Sequence, residues 1–507
     1  MHWLKLPAAQ SKQTPAFLDT ASAKQWLAIQ PLTQPLAMLA LLTEQIEALD
    51  ASDLPLVARL ELLDFLRRAA MPALLNLEAR FTRRALPMLG EDRRIFESSQ
   101  RLWSLLGIAY LRLAQQFAAD KMAVALHRAA NALRQAEYCH YQASRECPQL
   151  LDQLLFGVLA LAGSNKLLEQ AMHDPDYAHL GEANIGGLIA WAFLLRVSDP
   201  YALNGQQLAV TNRALSRWRE LSTFQTEPEE DPKALAVDLA KLFGASLPEG
   251  IPRWLNVRPI ARKIRSRIAS LKAGESPEAL KLGRELSPTA CIRLLGEIDR
   301  KLRPSPPMAA ATDAESIELA FGGEAAYAVF TGESLNPGAA MTMQSTAMSH
   351  ERLRVFGFDN VAQVATSVQR VDVPTETWLI SDGQPWRPGH DGPRLQAPCL
   401  VSTLHGAQPR LGVLSRLLCD ISDQLSGRLN WYSERIEACT LKRPAPQPRI
   451  AVFLLYDDRR LTLIAPIHAG IRLDIGIELD GTANAHLVPF EVIERGVDFV
   501  RYICRRT

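Results

Sequence analysis

The sequence predicts an α+β multidomain chain, with a helical N-terminal region of stacked helix pairs followed by a β-barrel C-terminal region. Three observations carry this. Between Ser22 and about Leu302 apolar residues recur at spacings of three and four, the period of an amphipathic helix. At RPSPPMAAATDAES, from Arg303 onward, the composition turns to proline and small polar residues, and beyond it β-branched and alternating segments take over. The length of 507 residues with 48% hydrophobic content supports two to four domains, at roughly 150 residues each.

Residues 1–21 read as an N-terminal tail. Lys5, Pro7 and Pro15 interrupt any apolar run there, so a secretory signal is not expected. Residues 22–302 form the helical domain. Asp50, Ser52 and Asp53 precede VARLELLDFLRR as helix-starting residues, and RLWSLLGIAYLRLAQQF (Arg101 to Phe117) repeats the helical period. Asp174-Pro175 and Asp199-Pro200 mark turns, and TEPEEDPK (Thr226 to Lys233) marks a solvated loop inside the helical half. Short connections predict antiparallel helix pairs, although the residue pattern of tetratricopeptide repeats is missing. The longest apolar stretch, LLFGVLALA (Leu154 to Ala162), falls short of the ~18 residues a membrane span requires and reads as a core helix.

Residues 303–507 form the β-rich region. Its strand candidates are SIELAF, AAYAVF, VAQVATSVQRV, TWLIS, CLVSTL, RLGVLSRLL, IAVFLLY, RLTLIAP, IRLDIGIEL and AHLVPFEVIE, with VDFVRYICRR closing the chain. Many short strands separated by Gly, Pro and Asp predict one small barrel or a pair. Asp457-Asp458 reads as a hairpin turn.

Lys plus Arg number 56 against 55 Asp plus Glu, so no charge excess drives binding to DNA, RNA or an anionic membrane. Any anionic ligand has to be held locally. The seven cysteines are scattered without a CxxC pair, which suggests neither a disulfide framework nor a zinc site, and a reducing cytoplasmic location is expected. The sequence contains no GxSxG, HExxH, P-loop or GxGxxG signature, and its ten histidines are dispersed, so an enzyme is not expected and no cofactor or metal is implied.

Three segments stand out as ligand candidates. SDGQPWRPGHDGPR (Ser381 to Arg394) concentrates Gly, Pro, Asp, His and Arg between strands, as a ligand-facing loop or a plain surface loop would. RLRVF places Arg352 and Arg354 two apart, so that on a strand both guanidinium groups could face one phosphate or stand as two plain surface arginines. RPIARKIRSR (Arg258 to Arg267) carries an RxxxR spacing, but it continues with helical periodicity and reads as a solvated face.

Several pieces of the chain together resemble a group of proteobacterial proteins with a long helical N-terminal region and a PilZ-like barrel: RLWSLLGIAYLRLA, DPYALNGQQLAVTNRALSRW, SPTACIRLLGEIDRKLRPS, TWLISDG, RLGVLSRL, IAVFLLYDDRRLTLIAP and GVDFVRYICRR. The resemblance spans most of the chain and implies cyclic di-GMP as ligand. PilZ domains hold it with an RxxxR arm before the barrel and a [D/N]xSxxG turn on it. In this chain the arm aligns with Arg303, with Pro307 where the second arginine would stand. The turn aligns with Asp382, with Gln384 and Arg387 in place of its serine and glycine. The resemblance therefore implies a ligand set of Arg303, Arg352, Arg354, Asp382, Gln384 and Arg387. It also implies a non-enzymatic signalling protein, a divergent cyclic di-GMP receptor with a protein partner on its helical region. The alternative is a helical scaffold or chaperone-like adaptor whose β domain no longer binds nucleotide.

Overall fold

The computed structural model describes residues 2–11, 13–227, 235–303, 315–335, 373–381, 383–390, 392–405, 408–443, 447–457, 460–481 and 486–506. The chain divides into two compact units, Met1–Met308 with Leu418–Asp423, and Ala309–Leu417 with Gln424–Thr507.

The first unit is helical. Its first six helices are α1 (Thr20–Ala28), α2 (Pro35–Asp50), α3 (Leu56–Phe81), α4 (Gly90–Ala114), α5 (Ala119–Ala143) and α6 (Gln149–Ser164). Asp19 starts α1 in a capping box with Ser22, and Asn204 does the same with Gln207 for α8 (Gly205–Trp218). Helices α4 and α5 have 25 residues each and are joined by residues 115–118, short enough to fold them back as an antiparallel pair. Their axes approach closely at Gly107, where a Cβ would stand 2.5 Å from Leu133 Cδ2.

Helix α5 lies at the centre, packed against α3, α4, α6 and α7 (Ile185–Val197). It is therefore buried on nearly all sides, and its polar residues His127, Arg128, Asn131, Arg134, Glu137, His140 and Gln142 are buried with it. Between α6 and α7 a short hairpin of β1 (Met172–His173) and β2 (Glu182–Ala183) encloses a 3-10 turn, Pro175–Leu180. Arg67 anchors that turn, donating to Asp174 at 2.7 and 2.8 Å and to Asp176 at 2.6 Å, while Arg128 pairs with Asp174 at 2.8 Å. The unit ends with a three-stranded sheet of order β3-β5-β4, made by Thr223–Gln225 (β3), Ala236–Asp238 (β4) and Trp254–Asn256 (β5), and with α9 (Leu239–Phe243), α10 (Arg258–Lys272) and α11 (Pro288–Lys301). The helical period gave no sign of these three strands, each only three residues long. Most of the TEPEEDPK segment lies outside the described residues.

The second unit contains two closed six-stranded barrels. The first uses β6 (Glu315–Phe321), β7 (Glu376–Ser381), β8 (Gln384–Trp386), β9 (Cys399–His405), β10 (Gln408–Cys419) and β11 (Leu425–Trp431), closing in the order β10-β11-β8-β7-β6-β9. The second uses β12 (Arg435–Leu441), β13 (Ile450–Asp457), β14 (Arg460–Pro466), β15 (Ile477–Asp480), β16 (His486–Arg495) and β17 (Phe499–Arg506), closing as β12-β13-β14-β17-β16-β15. Closure satisfies the edge strands that an open sheet would leave unpaired.

The run IAVFLLY is apolar without alternation because β13 is covered on both faces. Ile450, Val452 and Leu454 belong to the core of the second barrel. Phe453 and Leu455 join a second cluster with Leu400, Leu411 and Val413 of the first barrel.

The segment AAYAVF, expected as a strand, is instead part of helix α12 (Gly323–Thr331). Helix α12 follows Gly322 at φ +88° and buries Ala326 in the cluster between the barrels, so its alternating alanines serve close helix packing. Of IRLDIGIEL only the end is a strand, β15. The Asp457-Asp458 hairpin is paired through Asp457 and Arg460, with residues 458–459 outside the described set. VAQVATSVQRV lies outside it as well.

Candidate ligand pocket

Helices α3, α4, α5, α7 and α8 and the Pro175–Leu180 turn surround a cavity of about 380 Å³ in the first unit, within the usual range for small-molecule pockets. Exposed Leu75 stands on its rim, and Trp103, Tyr138, Tyr177 and Trp191 give it aromatic walls.

Arg134 sets the chemistry of this cavity. It is buried, and its guanidinium stacks 3.5 Å above the centroid of the Trp191 ring. Its Nη2 donates a long 3.3 Å hydrogen bond to Asn131 Oδ1, while Nε and Nη1 make no hydrogen bond to the protein. The Nε1 of Trp191 and the Oδ1 of Asn212 in the same wall are also buried without a partner. Burial pulls the guanidinium down to about 10, against the raising influence of nearby Tyr177, Tyr138 and Glu137, and it remains cationic at neutral pH. Fewer than about one buried polar atom in ten goes unpaired in folded proteins, and unpaired atoms occur in this unit beyond the cavity as well, at Arg59, Arg67 and Arg219 among others.

The α5 face that carries Arg134 continues one and two turns on with Tyr138 and Gln142, and all three line the cavity. Gln142 Nε2 donates to Glu78 Oε1 from α3. Glu78 contributes to raising the Tyr138 phenol and the Cys139 thiol, after burial as the main cause. Arg213 of α8, also in the wall, is already held by Glu285 and by the Leu282 carbonyl at 2.7 Å. The cavity thus offers one uncommitted cation, one carboxylate and aromatic faces, a set that suits an anionic ligand bearing flat rings and N–H donors.

Among the described residues, Glu137, Cys147 and Asp152 form one cluster with metal-ligand spacing, their donor atoms lying within 4.8 Å of each other. Arg196 sits on it, 3.0 Å from Glu137 and 2.5 Å from Asp152. Burial also keeps the Cys147 thiol far above its ordinary value. The protein supplies the positive charge there itself, so the residues present do not suit a cation.

Of the residues expected from the sequence, Arg303, Gln384 and Arg387 are among the described residues, and they do not line this cavity. Arg303, in the first unit, follows α11 and pairs with Asp299 at 2.8 Å. Gln384 and Arg387 belong to the second unit, on and just after β8. Gln384 is exposed opposite Ser381. Arg387 is buried, and its fork is committed to Glu376 (3.0 and 3.2 Å) and the Pro393 carbonyl (2.8 Å), with Trp378 beneath it. Its guanidinium is a structural brace of the first barrel. Arg352, Arg354 and Asp382 lie outside the described residues. The cavity residues Glu78, Arg134, Tyr138, Trp191 and Asn212 were not anticipated. The available signal was NALRQAEYCHYQA, in which charged and polar residues sit on every face of an alanine-rich helix.

The described residues make a helical unit with an internal cavity and a unit of two small closed barrels. Residues 21–230 match the family model described as "Cyclic-di-GMP receptor FimW, N-terminal domain". No curated protein and no solved structure gives a significant match to the chain. No helix among the described residues is long and apolar enough to cross a membrane.

Proposed function

We propose that this chain is a non-enzymatic cyclic di-GMP receptor that signals through protein contacts, and that the Arg134 cavity seats the ligand. One observation carries the reading: every residue lining the cavity, from Met71 to Ser216, falls inside the segment that matches the receptor model. The chemistry agrees with it. A cyclic dinucleotide brings phosphate charge for the uncommitted guanidinium and purine rings for the aromatic walls. The six strands of each closed barrel support the PilZ-like part of the reading, and the protein partner in the cytoplasm is taken up by the helical region.

The test is calorimetric titration of the full chain with cyclic di-GMP, with GTP as control and the variants Arg134→Met and Arg303→Ala. The cavity reading expects micromolar or tighter binding that Arg134→Met abolishes and Arg303→Ala leaves intact. Loss in Arg303→Ala with Arg134→Met unaffected would move the seat to the arm before the barrel. No heat with any form would leave the helical scaffold as the better account.

A further inference from the structure

The cavity is polarised along α5. Arg134 and Gln142 lie eight residues apart, and at 1.5 Å rise per residue that separates the cationic end from the Gln142–Glu78 end by about 12 Å. This is the scale on which the phosphate and the far edge of the base lie apart in one nucleotide. At the second end Gln142, itself buried, donates to Glu78 Oε1 and thereby fixes the carboxylate. Glu78 Oε2 accepts no hydrogen bond from the described residues, and a carboxylate offers acceptors only.

A purine that stacks between the aromatic walls with its phosphate on Arg134 brings its far edge to Glu78. Guanine presents two parallel donors on that edge, N1–H and the N2 amine, which fit the two oxygens of a carboxylate. Adenine presents a lone pair at N1 to the same oxygens, which repels. We propose that Glu78, positioned by Gln142, is the specificity residue of this pocket and selects guanine over adenine. The inference rests on the receptor reading above and assigns the base-reading end of the same site.

The experiment titrates the full chain with cyclic di-GMP, its inosine counterpart lacking the N2 amines, and cyclic di-AMP, for the wild type and Glu78→Gln. In the wild type the expected order of affinity is guanine, then inosine, then adenine, with the guanine-to-adenine ratio on the order of a hundredfold or more, because a site built to pair N–H donors rejects an analogue lacking them. Glu78→Gln turns one acceptor into a donor. It is expected to weaken cyclic di-GMP about tenfold to a hundredfold, leave cyclic di-AMP unchanged or stronger, and melt as the wild type does. An unchanged guanine-to-adenine ratio in a folded Glu78→Gln overturns the assignment while the receptor reading stands. So does equal affinity for the guanine and inosine ligands in the wild type, which requires no variant to fold. Absence of binding by all three ligands to the wild type overturns the receptor reading and this inference with it.

Discussion

Replacing Arg134 with methionine should stabilise the ligand-free protein while removing its binding. The guanidinium has one long hydrogen bond and its stack on Trp191, and its Nε and Nη1 make no hydrogen bond to the protein. The bond to a charged donor returns about 1.5–3 kcal/mol at good geometry, less at 3.3 Å, and the stack about 2 kcal/mol. Against these stand about 1–3 kcal/mol for each unsatisfied buried donor and several kcal/mol for desolvating the charge. Exchange of a buried ion pair for hydrophobes of similar volume is neutral or gains about 1–4 kcal/mol, and removal of a buried cation that lacks a carboxylate partner should gain on the same scale. Calorimetric melting of the apo full chain should therefore show the helical unit's transition moving up by a few degrees, at about 2–4 °C per kcal/mol for units of this order of size. Titration with cyclic di-GMP should show no binding. A fall in apo stability of more than about 2 kcal/mol would refute the reasoning, because it would mean that the guanidinium is satisfied within the fold and the cavity is not waiting for a ligand.

Four other outcomes follow from the same structure. Arg67→Met, which strips Asp174 and Asp176 of their main buried partner, should cost about 3–5 kcal/mol in denaturant unfolding and loosen the turn carrying Tyr177 and His179. Arg387→Ala should destabilise the second unit by about 3 kcal/mol, seen as early unfolding of Trp378 fluorescence, and leave ligand affinity unchanged, since its fork serves Glu376. Gly412→Ala should disrupt the first barrel, because the new Cβ would meet the Asn430 carbonyl oxygen at 2.6 Å and backbone cannot give way as a side chain can; circular dichroism of the variant reads it. Burial raises the Asp498 carboxyl from 3.8 to about 6, the hydrogen bond from Leu400 N opposing it. The native state then holds the proton that the unfolded state has lost, so this group's contribution is full below pH 4 and disappears as pH rises through 6. The difference is on the order of 3 kcal/mol, and Asp498→Asn should flatten that slope in urea titrations from pH 4 to 8.

The sequence by itself determined the class of architecture. The helical period of VARLELLDFLRR and RLWSLLGIAYLRLAQQF, the break at RPSPPMAAATDAES and the strand runs CLVSTL, RLTLIAP and VDFVRYICRR all reflect local preferences and a single buried face, which neighbouring residues encode. AAYAVF misled because alanine and β-formers alternate in it by coincidence. The tight space between two barrels, available only once they form, selects a small-residue helix there. The arginines expected to bind were chosen for local spacing, which does not encode that Arg387 donates to Glu376, eleven positions earlier. Only tertiary structure could decide the cavity. Glu78, Arg134, Trp191 and Asn212 come from four helices spread over 135 positions, and the meaning of Arg134 depends on whether water reaches it. On an exposed helix it would be an ordinary surface charge. Enclosed by α3, α4, α7 and α8 it becomes a buried cation with few partners, because burial, which no single helix encodes, converts a solvated group into one that needs a partner.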